Sequence, residues 1–267
     1  MIRRATVALL LALLAVSALA PAVRAGTVTM TVDGRPFDLV QPEGATGPLP
    51  LILALSGVGG TADRMQRDLP LTGTEAAVPF RVAYLTATSF QAASGKRIIA
   101  WNDGVCCGTG IRPDSDDSAY LADVVDHLAA LGLIGTGRTV AVVGHSNGAQ
   151  MGYRFTCEHG ERVFALVAIS GGRAEQGCTG LQGLRVLNIN GTADTRYPVT
   201  GGVNPFDPRI VHDSPKAAGQ SLAAAGASFR LDLVPGARHS MASIDRRLAT
   251  TTGSGLAATV LDFIFTE

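Results

Sequence analysis

Apolar residues fall along this chain in short continuous runs and in longer spaced ones, and the alternation of the two predicts its elements in order. Thr27 to Leu39 reads as a hairpin. Val28, Met30 and Val32 alternate with polar positions, Asp33-Gly34 is a favoured two-residue turn, and the chain returns through Pro36 to Val40. Runs at Leu51–Leu55, Val82–Leu85, Thr139–Val143, Val163–Ile169 and Leu184–Ile189 have the length of buried strands, and Ser228–Val234 reads as a last strand. Helical spacing lies between them. The stretch from Ser115 or Asp116 to about Leu131 sets Leu121, Val124, Val125 and Leu128 on one face, with Asp116 and Asp117 at its positive end. After Val143 a second helix sets Met151 and Phe155 on one face and reaches Gly160, where a C-terminal cap belongs. Further helices are expected over roughly Pro215–Ala225 and Gly255–Phe265. A loop rich in glycine and aspartate spans about Trp101–Asp114. Strands alternating with helices behind an opening antiparallel hairpin specify an α/β fold: a mostly parallel central sheet with helices on both faces.

The first residues stand outside this pattern. Arg3 and Arg4 precede an apolar run over Val7–Ala20, and Val23-Arg24-Ala25 offers small residues at cleavage positions. Residues 1–25 read as a secretory signal peptide cut after Ala25. The rival is an uncleaved anchor, but the run falls short of the roughly 18 apolar residues of a span. No cysteine lies near the cut, so a lipid anchor is not expected. Residues 26–267 then form one domain. With Arg3, Arg4 and Arg24 removed, 19 basic residues face 22 acidic ones, a net charge of −3. No basic run remains to favour nucleic acid, and no long apolar stretch remains to favour a membrane. The expected location is extracellular or periplasmic. Four cysteines in an exported chain suggest disulfides. Cys157, near the end of the helix after Val143, and Cys178, in the loop after the next strand, should be neighbours, which favours Cys157–Cys178. Adjacent Cys106 and Cys107 stay open: a strained bond to each other, two free thiols, or bonds elsewhere. No histidine or further cysteine falls at zinc-ligand spacing.

Chemistry enters at Gly144-His145-Ser146-Asn147-Gly148. A Gly-x-Ser-x-Gly turn between an apolar strand and a helix is the nucleophile elbow of α/β-hydrolases, in which the strained serine lifts its hydroxyl clear of the sheet. Such a serine needs a base, and the base needs an anion, in the chain order serine, acid, histidine. Asp194, in the loop Asn190–Asp194 at the C-terminal end of a buried strand, fits the acid, with Asp207 as fallback. His239, in the loop Pro235–His239 after the last strand, fits the base, with His212 as competitor. His127 and His159 fall on helices, and His145 is expected to point away from the serine. Two backbone N–H donors are needed for the oxyanion. Asn147 should supply one, and Val58, in the loop Leu55–Gly60, the other.

These segments resemble the secreted esterases of the polyhydroxybutyrate depolymerase and feruloyl esterase group. The matching stretches are the glycine loop at 55–60, Trp101-Asn102-Asp103-Gly104 with Cys106-Cys107-Gly108, Asp116-Asp117, Gly144 to Gly148 with Tyr153-Arg154, and Asn190 to Asp194. The resemblance implies a Ser146–Asp194–His239 triad, ester hydrolysis and no cofactor. It suggests that Trp101 lines the acyl or aromatic pocket; a core position is the alternative. Two positions depart from the group. Ser56 stands where the group has histidine, and Ser240-Met241 follow His239 where an aromatic residue and a proline are usual. Asp103, Asp114, Asp116 and Asp117 fit a solvated loop and a helix start better than a calcium site.

The sequence therefore describes an exported serine esterase acting on a small or oligomeric ester, such as a hydroxyalkanoate oligomer or a feruloyl or acetyl ester. A serine peptidase of the same fold and a non-catalytic binding protein on the same scaffold are the alternatives.

Overall fold

A computed structural model describes residues 24–73, 75, 76, 78–91, 95–104, 115–204 and 210–266. The signal-peptide reading, Cys106, Cys107, Asp114 and the fallback Asp207 lie outside them or nearly so; of residues 1–25 only Arg24 and Ala25 are described. The elements follow in the order β1 (Ala25–Val32), β2 (Arg35–Pro42), β3 (Leu51–Leu55), α1 (Ala62–Asp68), β4 (Arg81–Leu85), β5 (Ser89–Gln91), β6 (Arg97–Ile99), α2 (Asp117–Ala130), β7 (Val140–His145) and α3 (Asn147–Glu158). Then come β8 (Val163–Ile169), β9 (Arg185–Gly191), β10 (Gly202–Val203), β11 (Val211–His212), α4 (Pro215–Ala224), β12 (Ser228–Val234), α5 (Met241–Thr252) and α6 (Leu256–Phe265).

Eight strands form one sheet in the order β1-β2-β4-β3-β7-β8-β9-β12. β4, β3, β7, β8, β9 and β12 run parallel, and β1 and β2 add an antiparallel hairpin at one edge. The hairpin turns at Asp33 and Gly34, both with positive φ (51° and 71°), the geometry for which Asp-Gly is suited. Side chains alternate across the pleat into two cores. Leu51, Leu53, Leu55, Val140 and Val142 pack beneath α2, α3 and α4; Ile52, Ala54, Ala141 and Val143 pack beneath α1, α5 and α6. Both faces of the inner parallel strands β3, β4, β7, β8 and β9 are thereby dry, which is why they read as apolar runs, whereas the edge strand β12 is partly exposed and carries Arg230 and Asp232.

Two helices are additions to the sequence reading, α1 and α5, and both border the site below. Gly160 is not the left-handed cap expected of it. The cap residue is His159, and a Cβ on Gly160 would lie 2.2 Å from Leu181 Cδ2, so close packing excludes a side chain there. Just before it, Cys157 is joined to Cys178, tying the end of α3 to the loop after β8. No single helix among the described residues is long and apolar enough to cross a membrane.

Candidate active site

β7 delivers the chain to Ser146 with its backbone at φ 55°, ψ −119°, a conformation that a non-glycine residue adopts only when its surroundings enforce it. They do so by contact. A Cβ on Gly144 would fall 2.2 Å from Gly148 O, and one on Gly148 would fall 2.3 Å from Leu55 O. Any side chain at either place would push α3 off the sheet, so both glycines of the pentapeptide are space requirements. Ser146 N–H donates to Ile169 O of β8 (2.9 Å), which anchors the turn.

The structure brings the three predicted side chains together. His239 Nε2 is 3.0 Å from Ser146 Oγ, and His239 Nδ1 is 2.8 Å from Asp194 Oδ2. The second carboxylate oxygen of Asp194 accepts from the N–H groups of Arg196 (2.8 Å) and Tyr197 (2.9 Å). Burial by itself would raise the Asp194 pKa; the contact with His239 and those two N–H donors outweigh it and hold the carboxyl below its usual range. A permanent anion then fixes the proton on His239 Nδ1 and leaves Nε2 free to accept from the serine.

The acid and histidine loops are joined by main chain. Thr192 N–H donates to Val234 O (3.0 Å), Ala193 N–H to Ala237 O (2.9 Å), and Gly236 N–H to Thr192 Oγ1 (2.8 Å). Directly after His239, Ser240 caps α5 by accepting from Ser243 N–H (3.3 Å), and Met241 is buried. The Ser240-Met241 departure therefore begins a helix that backs the histidine.

Opposite lies the loop after β3. Its Gly59 N–H is engaged by Ile99 O (2.7 Å) and its Gly60 N–H by Gly57 O (2.9 Å). The Gly57 and Val58 N–H groups have no partner among the described residues, and both residues line the cleft. A Cβ on Gly57 would be 3.0 Å from Ser146 Cβ, so this loop runs directly past the nucleophile.

Trp101 is not a pocket residue. It is 1% exposed and absent from the cleft wall; its indole N–H donates inward to Ser56 O (2.9 Å). Two histidines also depart from expectation. His145 does not point away: it lines the cleft, its ring centre is 5.2 Å from that of His239, and its Nε2–H donates to His239 O (2.9 Å). Enclosure, with His239 adding to it, pushes His145 down to about 4, so it is neutral at neutral pH. His212 is not beside the serine but forms part of the cleft wall, with Asn204 Nδ2 donating to its Nε2 (2.8 Å) and its ring 4.6 Å from that of Tyr197. Burial lowers its pKa as well.

The cleft itself has a volume of about 780 Å³. Met65 of α1, Met241 of α5, Ile98 and Ile210 give it apolar surface, and Arg64, Asp68 and Arg196 lie at its edge. Sequence reading missed the two methionines because it missed their helices. The signal was present for α5: Ser240 in a capping position, followed by Met241, Ile244 and Leu248 at helical spacing. No group of three histidine, cysteine or acidic side chains among the described residues is placed to hold a metal ion.

The fold has counterparts among known proteins. No family model matches the chain. It is 30% identical over 182 residues to "Putative esterase NocK" of Nocardia uniformis subsp. tsuyamanensis; the match covers 66% of this chain and 48% of that protein, so the chain spans about half the length of this curated relative. A carboxylesterase from Mesorhizobium loti superposes with a TM-score of 0.61 at 19% identity, over 90% of this chain and 99% of that one. The CE1 ferulic acid esterase from the anaerobic fungus Anaeromyces mucronatus gives 0.58 at 17% identity, over 91% and 89%. With the sheet order described above, these likenesses give the chain the α/β-hydrolase fold.

Proposed function

We propose that this α/β-hydrolase is an exported serine esterase that cleaves carboxylic esters through an acyl-enzyme on Ser146. One observation carries the reading: the unbroken relay from Asp194 through His239 to Ser146, the last two lining a cleft. The likeness to a carboxylesterase and a ferulic acid esterase, and the partial match to NocK, support the ester class.

In this reading each residue has its step. His239 Nε2 takes the Ser146 proton as Oγ attacks the ester carbonyl, and the Nδ1 contact with Asp194 stabilises the imidazolium. The carbonyl oxygen becomes an oxyanion, held by the N–H groups of Asn147 and Val58. His239 gives its proton to the departing alcohol as the C–O bond breaks. Water then repeats the sequence on the acyl-enzyme and releases the acid. The cleft's size and methionine-rich wall suit a soluble ester with an apolar acyl or alcohol part, among them hydroxyalkanoate oligomers and feruloyl or acetyl esters.

The test is a panel of these esters with purified protein, a fluorophosphonate label, and Ser146→Ala. Wild type is expected to be labelled at Ser146 and to turn over at least one ester class. Ser146→Ala is expected to fold, escape the label and lose turnover by about 10⁴-fold or more. Near-wild-type turnover in folded Ser146→Ala would refute the reading, and preferential cleavage of a matched anilide over the ester would replace esterase with peptidase.

A further inference from the structure

The two N–H groups assigned to the oxyanion come from distant parts of the chain. Asn147 opens α3, whereas Val58 sits in the loop after β3. An oxyanion hole acts only when both donors aim at one point, so something must set the loop against the helix. The side chain at position 56 does not: Ser56 Oγ is buried without a hydrogen-bond partner among the described residues.

The carbonyl of the same residue is held instead. Trp101 Nε1–H donates to Ser56 O at 2.9 Å. The backbone of Trp101 is in turn clasped by the side chain of Asn147. Trp101 N–H donates to Asn147 Oδ1 (2.7 Å), and Asn147 Nδ2 donates to Trp101 O (3.2 Å) and to Asp103 Oδ2 (2.8 Å). Trp101 and Asn147 are each 1% exposed, so no water competes for these bonds. Every polar atom of Trp101 is thus spent on the two halves of the hole.

The peptide planes make the consequence specific. Ser56 C=O and Gly57 N–H share one rigid plane, which the Trp101 indole fixes. Gly57 C=O and Val58 N–H share the next, which Gly60 N–H fixes at 2.9 Å. Release of the first plane leaves the second held by the Gly60 bond alone, and Gly57, which has no side chain, lets the two planes turn relative to each other.

We infer that Trp101, buried and out of reach of substrate, is the positioning residue of the oxyanion hole, bridging the Val58 loop to Asn147. The inference rests on the serine-esterase reading above. Trp101→Phe keeps an aromatic ring but removes the N–H together with the rest of the indole bicycle, so benzothienylalanine at the same position, which loses the N–H alone, is the matched control. With p-nitrophenyl butyrate as probe, kcat is expected to fall about 10-fold, a part of the 10²–10³ that loss of a whole donor costs, with KM within about twofold. Affinity for a trifluoromethyl ketone, whose hemiketal oxygen would occupy the hole, should weaken by the same factor. The acid limb of the pH profile should stay in place, because the Asp194–His239 contacts do not involve Trp101. Asn147→Ala, which opens the other end of the clasp, should show the same pattern more strongly.

Unchanged kcat and ketone affinity in folded Trp101→Phe would overturn the inference, as would a loss confined to KM or to thermal stability. The chain holds one tryptophan. If the phenylalanine variant does not fold, benzothienylalanine at position 101, which keeps the bicyclic shape without the N–H, gives the same readout. A wild type that is neither labelled by fluorophosphonate nor active on any ester sinks the esterase reading; an active wild type with an unaffected variant sinks this inference alone.

Discussion

The two walls of the cleft are built on different principles. On the histidine side, the loops at 191–194 and 234–239 are joined mainly by backbone bonds, and Gly191 packs so closely on Ala237 that a Cβ would lie 2.2 Å from its carbonyl. Behind the opposite wall, residues 101–103, which do not line the cleft themselves, are held by side chains reaching from elsewhere. Asp117, fully buried at the start of α2, accepts from Asn102 N–H (2.6 Å), Thr88 Oγ1 (3.0 Å) and Arg35 (2.7 Å). Arg154 donates to Asn102 O (2.7 Å), and Arg173 donates to Asp103 O. A wall made of chain path tolerates most substitutions outside its functional side chains. A wall made of buried polar side chains fails when any one is removed, because its partners are then left unpaired in a dry place.

The sharpest way to break this comparison is within the histidine wall itself. His239→Ala should lower kcat by about 10⁴-fold with the fold intact, whereas His212→Ala, measured on the same ester, should stay within about 10-fold. Reversal of that order would mean that the wrong histidine has been placed beside Ser146. For stability the contrast runs the other way. Asp117→Ala strands Arg35 and the Asn102 N–H, and should cost about 3–5 kcal/mol in urea unfolding. Thr192→Val removes one side-chain acceptor from the histidine wall and should cost about 1 kcal/mol. Equal losses would show that the two walls are held alike.

The same contrast explains what could be read from the sequence. Ser146 and Asp194 each follow a strand whose buried run is plain, and His239 follows the last strand, so strand order sufficed to bring them to one end of the sheet. β12 appears over Ser228–Val234 as expected, and the Asp33-Gly34 turn fixed the hairpin by its own backbone preference. Trp101, Asp117 and the side chain of Asn147 were visible as residues but not as partners, because a buried hydrogen bond between distant segments leaves no periodicity. Asp117 fitted a solvated helix start, and only the fold shows it enclosed. α1 covers only seven residues, Ala62–Asp68, too few to show a helical face.

Next in size is the bridge between Cys157 and Cys178. It closes 21 residue steps, for which the chain-entropy view gives about 3 kcal/mol. It lies at the far end of α3 from Ser146. Cys157→Ala with Cys178→Ala should therefore lower the melting temperature and leave the pH dependence of kcat/KM where it was. A shift of that profile would show that the far end of α3 reports to the site after all, and that the side-chain wall extends further than Asp103.

An effect that appears only in acid belongs to His145, which touches both sides of the site: its ring lies near Gly57 on one side and bonds His239 O on the other. Its folded pKa of about 4 lies below the ordinary 6.5, so the unfolded chain binds the extra proton first. The stability it contributes is complete above about 6.5 and is lost as pH falls toward about 4. At roughly 1.4 kcal/mol per unit this amounts to at most about 3–4 kcal/mol, and less where solvent reaches the ring. Asp194, whose carboxyl is held below its usual range, loses its own contribution only at lower pH, so the two windows separate. His145→Gln keeps an N–H for the His239 carbonyl but cannot titrate. Its urea midpoint should therefore vary less than that of wild type between pH 7 and 4.5, while kcat at pH 8 stays within about threefold. If the variant shows the full wild-type slope, the acid sensitivity lies elsewhere, and His145 is a spacer between the walls rather than a titrating link.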